Sequence, residues 1–154
     1  MPWTTVQVEK LDNFLIMGDS AGDRVISYKD ALYEAFDQSL ERDPRVFIMG
    51  EGVDDVAGVF GTTRGLKEKY GENRVFDTPI AENSLTGIAA GAAMAGLRPV
   101  LIHARMDFLL LSLDQLVNHA SKWCYMFGGK VTVPMVVRTI SARGWGSGAQ
   151  HSQC

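Results

Sequence analysis

The chain has 154 residues, 46% of them hydrophobic and 21% charged, which suits one globular domain with a sizeable core. Lys and Arg number 15 against 18 Asp and Glu, and the resulting net charge of -3 argues against an electrostatic nucleic-acid binder. The two cysteines, Cys124 and Cys154, cannot form a disulfide framework or a zinc site by themselves, and no apolar run reaches the ~18 residues of a membrane span.

Residues 1–24 form an extension. Thr4, Val6 and Val8 alternate with Thr5, Gln7 and Glu9, which suggests a short strand before a turn-rich connector at Met17–Gly22. The extension is acidic and lacks a basic region followed by an apolar core. Neither a secretory signal nor a transit peptide fits, and with reduced thiols the expectation is a cytoplasmic chain.

From Val25 to Cys154 the pattern predicts a single domain. Ser27 caps a helix, with Asp30 three residues on, and Ala31, Leu32, Ala35, Phe36 and Leu40 share its apolar face. Asp43-Pro44 ends it. Val46 to Met49 is a buried-type strand, Gly50 to Thr62 a glycine-rich loop, and Thr63 to Tyr70 a short helix closed by Gly71. Val75 to Asp77 is a strand and Asn83 to Ala95 a helix of small residues. Pro99 to Ile102 is a strand, Phe108 to Met126 one long helix, and Val133 to Thr139 a strand. A glycine-rich loop follows at Ser141 to Gly148. Strands alternating with helices predict an α/β domain with a mostly parallel sheet flanked by helices.

Four features could carry chemistry. Asp77-Thr78-Pro79-Ile80-Ala81-Glu82 sets an acid at a strand-to-helix turn, where open parallel sheets bind ligands. Glu82 equally suits the first turn of a helix as an acid. Gly87, Gly91 and Ala95 recur every fourth residue, which fits either tight packing inside the domain or a helix contact between subunits. Phe108, between a strand and a helix, reads on its own as a core aromatic. His151 lies beyond the glycine loop, placed for proton transfer or simply on the surface. The histidines have no partners at metal-ligand spacing. There is no phosphate-binding GxxxxGK[ST], no GxSxG, and no dinucleotide-type glycine pattern between a strand and a helix.

Three segments carry a resemblance: ERDPRVFIMGEGV from Glu41, RGLKEKYGENRVFDTPIAENSLTGIAAGAAMAGLRP from Arg64, and the terminal AQHSQC from Ala149. Over 25–154 the chain resembles the pyrimidine-binding, transketolase-like domain of the beta subunit of thiamine diphosphate-dependent 2-oxo acid dehydrogenases, of the pyruvate dehydrogenase type. The resemblance implies oxidative decarboxylation of a 2-oxo acid with acyl transfer to a lipoyl carrier. It implies thiamine diphosphate as cofactor, its magnesium and diphosphate held by a partner alpha-type subunit and no metal held by this chain. Glu82 corresponds to the glutamate that bonds a pyrimidine ring nitrogen, Ile80 and Phe108 to residues packed on that ring, and His151 to a histidine near the substrate. The small-residue helix Asn83–Ala95 corresponds to one at a subunit interface, so a homo-oligomer is expected. Arg105 departs from the apolar and small residues usual at 103–107. Relatives continue beyond Cys154 with a helix and strand that complete this domain and with a carboxy-terminal domain. The isolated chain is therefore expected to be inactive, either as half of a site or as a truncated stand-alone relative without catalytic activity.

Overall fold

The structure, a computed structural model, describes residues 24–141 and 146–153. The strand expected within 4–9 lies outside them, as does part of the loop at 141–148.

Helix α1 spans Tyr28–Arg42. Ser27 stands in extended geometry before it, and its hydroxyl accepts from Asp30 N–H at 3.1 Å and donates to the Asp30 carboxylate at 2.6 Å. Asp30 thus turns to the Ser27 hydroxyl and not to its backbone N–H, a variant of the expected capping box. Phe36 and Leu40 are the buried residues of this helix. Strand β1 is Val46–Gly50, α2 is Leu66–Tyr70, β2 is Val75–Asp77, α3 is Glu82–Met94, β3 is Arg98–Ile102 and β4 is Val136–Arg138.

The four strands pair in parallel in the order β2-β1-β3-β4. Both faces are covered, as parallel sheets require. Side chains alternate along each strand, so neighbours serve opposite cores. Ile48, Val100 and Ile102 join Phe36, Leu40, Val53, Leu66 and Val75 on the α1 side. Met49 and Leu101 pack with Leu85 and Ala89 of α3 on the other. The alanines of α3 let it lie close to the sheet: Ala89, Ala90 and Ala93 are all buried.

Three expectations change. The single helix at 108–126 is a helical path of four segments in three registers: α4 at Met106–Leu109, a 3-10 turn at Leu110–Ser112, a π-helical stretch at Asp114–Ala120, and α5 at Ser121–Met126. Apolar periodicity reports a helical face and is blind to the hydrogen-bond register beneath it. The strand expected at 133–139 shortens to β4, because Pro134 has no N–H to give a ladder. Within the loop at 50–62 lies a helical turn, Gly58–Gly61, in which Val59 (φ 39°, ψ 61°) and Phe60 (φ 60°, ψ 32°) are left-handed. Gly58 is required there, since a Cβ would lie 2.4 Å from Arg64 N.

Candidate active site

The sheet order locates the site before any side chain is considered. The chain leaves β1 towards β2 on one side and returns to β3 on the other. Between β1 and β3 the connections diverge, and a crevice opens at the carboxyl ends of the strands. A cavity of about 730 Å³ occupies that position.

Its floor is built by the residues just past each strand. Gly50 ends β1 at φ 146°, and a Cβ on it would stand 2.1 Å from Ile102 O. Only glycine allows the two strand ends so close. The ladder then runs one step further, with Glu51 N–H donating to Ile102 O at 3.0 Å. Asp77, at the end of β2, accepts from Gly52 N–H at 2.6 Å and Val53 N–H at 3.2 Å, and so fixes the turn that follows Glu51. Glu51 Oε2 accepts from Ala104 N–H at 3.1 Å, across from β3.

Ile80, Glu82, Phe108 and His151 all line this one cavity, although they come from three separate segments. Glu82 is the first residue of α3. Ala81 holds the cap position without a side-chain bond, so Glu82 is not the cap, and its carboxyl is buried in the cavity wall. Ile80 sits at the rim, 79% exposed. Phe108, on α4, meets the His151 ring edge-on with centroids 5.3 Å apart. His151 itself lies in a short 3-10 turn, Ala149–His151, tied back by Gln153 N–H donating to the buried Asp107 at 3.2 Å. Arg105 also lines the cavity, with its guanidinium 5.8 Å above the Phe60 ring, which the left-handed turn presents there.

Glu51 carried no assignment in the sequence. It now faces Glu82 in the cavity. Burial pushes its carboxyl above the usual range, the Ala104 N–H pulls it back, and the charges of Glu82 and Asp77 add to the rise. Its position directly after a strand, between two glycines, is the same kind of signal that marked Glu82. His103, the residue after β3, is wholly buried beneath the floor, and burial drives its imidazole towards the neutral form against the pull of Glu82. Among the described residues no group of three or more His, Cys, Asp or Glu side chains is placed to hold a metal ion.

The expected small-residue stripe divides. A Cβ on Gly87 would meet the Gln115 side chain at 3.2 Å, so Gly87 serves packing within the domain. Gly91 is exposed with nothing within 4 Å of such a Cβ.

Residues 24–154 match the family described as transketolase, pyrimidine binding domain. The chain belongs to this family. It is 45% identical over 135 residues to the pyruvate dehydrogenase E1 component subunit beta-1, mitochondrial, of Arabidopsis thaliana, covering 88% of this chain and 37% of that protein. The human mitochondrial beta subunit is 45% identical over 129 residues, 84% of this chain and 36% of the relative. The Dictyostelium discoideum mitochondrial beta subunit is 42% identical over 149 residues, 97% and 42% respectively. This pyrimidine-binding domain therefore spans about two-fifths of the length of the relatives it matches. Their names overturn the cytoplasmic expectation, since these relatives are mitochondrial proteins. That expectation rests on the acidic residues within 1–24 and on reduced thiols, neither of which fixes a compartment.

Proposed function

We propose that this chain supplies the pyrimidine side of a thiamine diphosphate site in a 2-oxo acid dehydrogenase of the pyruvate dehydrogenase type. Residues 25–154 serve as the pyrimidine-binding domain and 1–24 as an extension to it. The observation that carries the reading is the meeting of Ile80, Glu82, Phe108 and His151 around one cavity at the β1/β3 switch point, in a chain of this family.

The donor set fits one end of that cofactor. A flat aminopyrimidine needs apolar faces and a carboxyl group at a ring nitrogen. Ile80, Leu111 and Phe108 give the first, and Glu82 the second. The cavity suits a diphosphate poorly, because Glu51, Asp55 and Glu82 bring three carboxyl groups to its lining. Diphosphate and magnesium are accordingly assigned to an alpha-type partner. When bound, the cofactor supplies a nucleophilic carbon and an electron sink for decarboxylation. Glu82 would hold a proton against the ring nitrogen, the acid/base role a carboxyl placed there can fill. Phe108 and Ile80 fix the ring plane and exclude water from it. His151, braced by the Phe108 edge, stands at the mouth of the cavity to exchange a proton with the substrate. Self-association through the Asn83–Ala95 helix is part of the same proposal and rests on the open face at Gly91.

The test is reconstitution with an alpha-type subunit, thiamine diphosphate and magnesium. Glu82→Gln keeps a hydrogen bond and loses the titratable proton, so turnover should fall on the order of 100-fold or more. Near-normal turnover of the variant would reject Glu82. A wild-type complex that assembles and binds cofactor without turnover would favour an inactive relative.

A further inference from the structure

Beneath the cavity floor lies a polar cluster that the reading above leaves unused. His103 Nε2 lies 3.1 Å from Thr86 Oγ1 and 3.3 Å from Ser112 Oγ. The two hydroxyls reach the Glu82 backbone carbonyl at 2.7 and 3.0 Å and stand 2.8 Å from each other. Both are fully buried, as is the ring. Five close contacts thus compete for two hydroxyl protons. With Ser112 donating to the carbonyl and Thr86 donating to the carbonyl or to Ser112, neither hydroxyl proton is left for the ring, whose contacts are filled only if Nε2 carries a hydrogen and donates. The neutral ring then presents a bare lone pair at Nδ1. Nδ1 has no hydrogen-bond partner, and it faces Glu51 Oε1, which has none either, 3.8 Å away. That separation is too long for a hydrogen bond, and a small side-chain rotation closes it. Two buried acceptors turned towards each other require a proton between them.

We propose that His103 is a positioning residue, whose Nδ1 accepts the proton of a neutral Glu51 carboxylic acid and so leaves Glu82 as the one carboxyl of the facing pair free to trade a proton with a bound ring nitrogen. The idea rests on the role given to Glu82 above. The proton count is simple. The proton stays on Glu51 Oε1. Its transfer would break that O–H bond, form an N–H bond at Nδ1, and leave a carboxylate beside an imidazolium. Burial opposes both charges. The charged neighbours act in the same frame. Glu82 on α3 and Asp77 at the end of β2 face Glu51 and favour its neutral form. Glu82 alone pulls His103 the other way, while the His103 backbone N–H donates to the Arg138 carbonyl on β4 at 3.0 Å and so anchors the ring's position. Arg105 stands on the cavity wall, which it lines with Glu51 and Glu82.

The test is NMR on the ligand-free full chain, so that it does not depend on what Glu82 does to a cofactor. Long-range proton–nitrogen spectra read the His103 tautomer, and carboxyl carbon shifts follow Glu51. The expected result is a neutral, Nε2-protonated His103 across roughly pH 5–8, with Glu51 still largely protonated where an ordinary glutamate is ionised. In His103→Phe the acid loses its acceptor, and the Glu51 midpoint should fall by about one pH unit. An Nδ1-protonated or cationic His103 would overturn the proposal, as would a Glu51 midpoint unmoved by the substitution. Should His103→Phe fail to fold, the tautomer in the unsubstituted chain decides alone. A failed Glu82→Gln assay would leave these spectra unchanged, which keeps the two ideas separable.

Discussion

The closest approach in the sheet gives the sharpest stability prediction. Gly50 lies where β1 and β3 converge, and Gly50→Ala would set a methyl group 2.1 Å from Ile102 O and 2.7 Å from Ile102 N. Ordinary contact begins near 3.4 Å, so the strand ends must part by about 1.3 Å. Backbone cannot swing aside as a side chain does. A φ of 146° is also a region that alanine rarely enters, at a cost of about 1–3 kcal/mol. Parting the strands breaks the Glu51 N–H to Ile102 O bond, worth roughly 0.5–1.5 kcal/mol net. Together these give a loss of about 2–4 kcal/mol. Urea unfolding followed by circular dichroism should show a midpoint lower by about 1–2 M, with the slope unchanged. The same displacement carries Glu51 away from Ala104, so the cavity floor should loosen with the fold. A variant within roughly 0.5 kcal/mol of the parent would refute the idea that β1 and β3 must touch at this point.

Other outcomes follow from single contacts. Thr86→Val removes a hydroxyl shared by Glu82, Ser112 and His103 in a fully buried cluster, and should cost about 1–3 kcal/mol in chemical unfolding, whereas an exposed threonine would cost almost nothing. Asp43 is held down to about 2 by hydrogen bonds from the Arg45 side chain and backbone. A depressed carboxylate contributes its stability above the unfolded value and loses it as pH falls from 3.8 towards 2. In Arg45→Ala, carboxyl NMR titration should find the Asp43 midpoint moved up towards 3.8. Gly91→Leu adds a side chain to an open helix face, so light scattering at micromolar concentration should show a lower mass than the parent. Equal masses would place that face outside any subunit contact.

Much of this arrangement is legible in the residues. Helix α1 announces itself through Ser27, its apolar stripe and Asp43-Pro44, all local signals. Ile80, Glu82, Phe108 and His151 could be singled out because each stands beside a change of element or within a recognisable segment. Glu51 and His103 could not, because their meaning depends on β1 and β3 being neighbours. That pairing joins residues about fifty positions apart, and no local pattern encodes it. The left-handed geometry at Val59 and Phe60 is equally silent, since neither residue type favours positive φ and the turn is imposed by the glycines and contacts around it. The 3-10 and π registers between α4 and α5 are hidden for a third reason: a leucine-rich stretch keeps its apolar face whichever backbone bond is made.

The dispersed origin of the cavity has a consequence for how the protein comes to fold. Its walls come from the segments around residues 51–60, 80–82, 104–111 and 140–151. Half of the pocket's framework, β1 and β2, is synthesised long before β3 can slot beside β1 and bring Ala104 to Glu51. His151 arrives last of all. No early intermediate can therefore present a formed pocket, and a molecule that fits it recognises only chains whose whole sheet has assembled. Binding then acts as a late ratchet on folding, drawing population from open states by RT ln(1 + [L]/Kd), about 2.7 kcal/mol at a hundredfold excess over Kd.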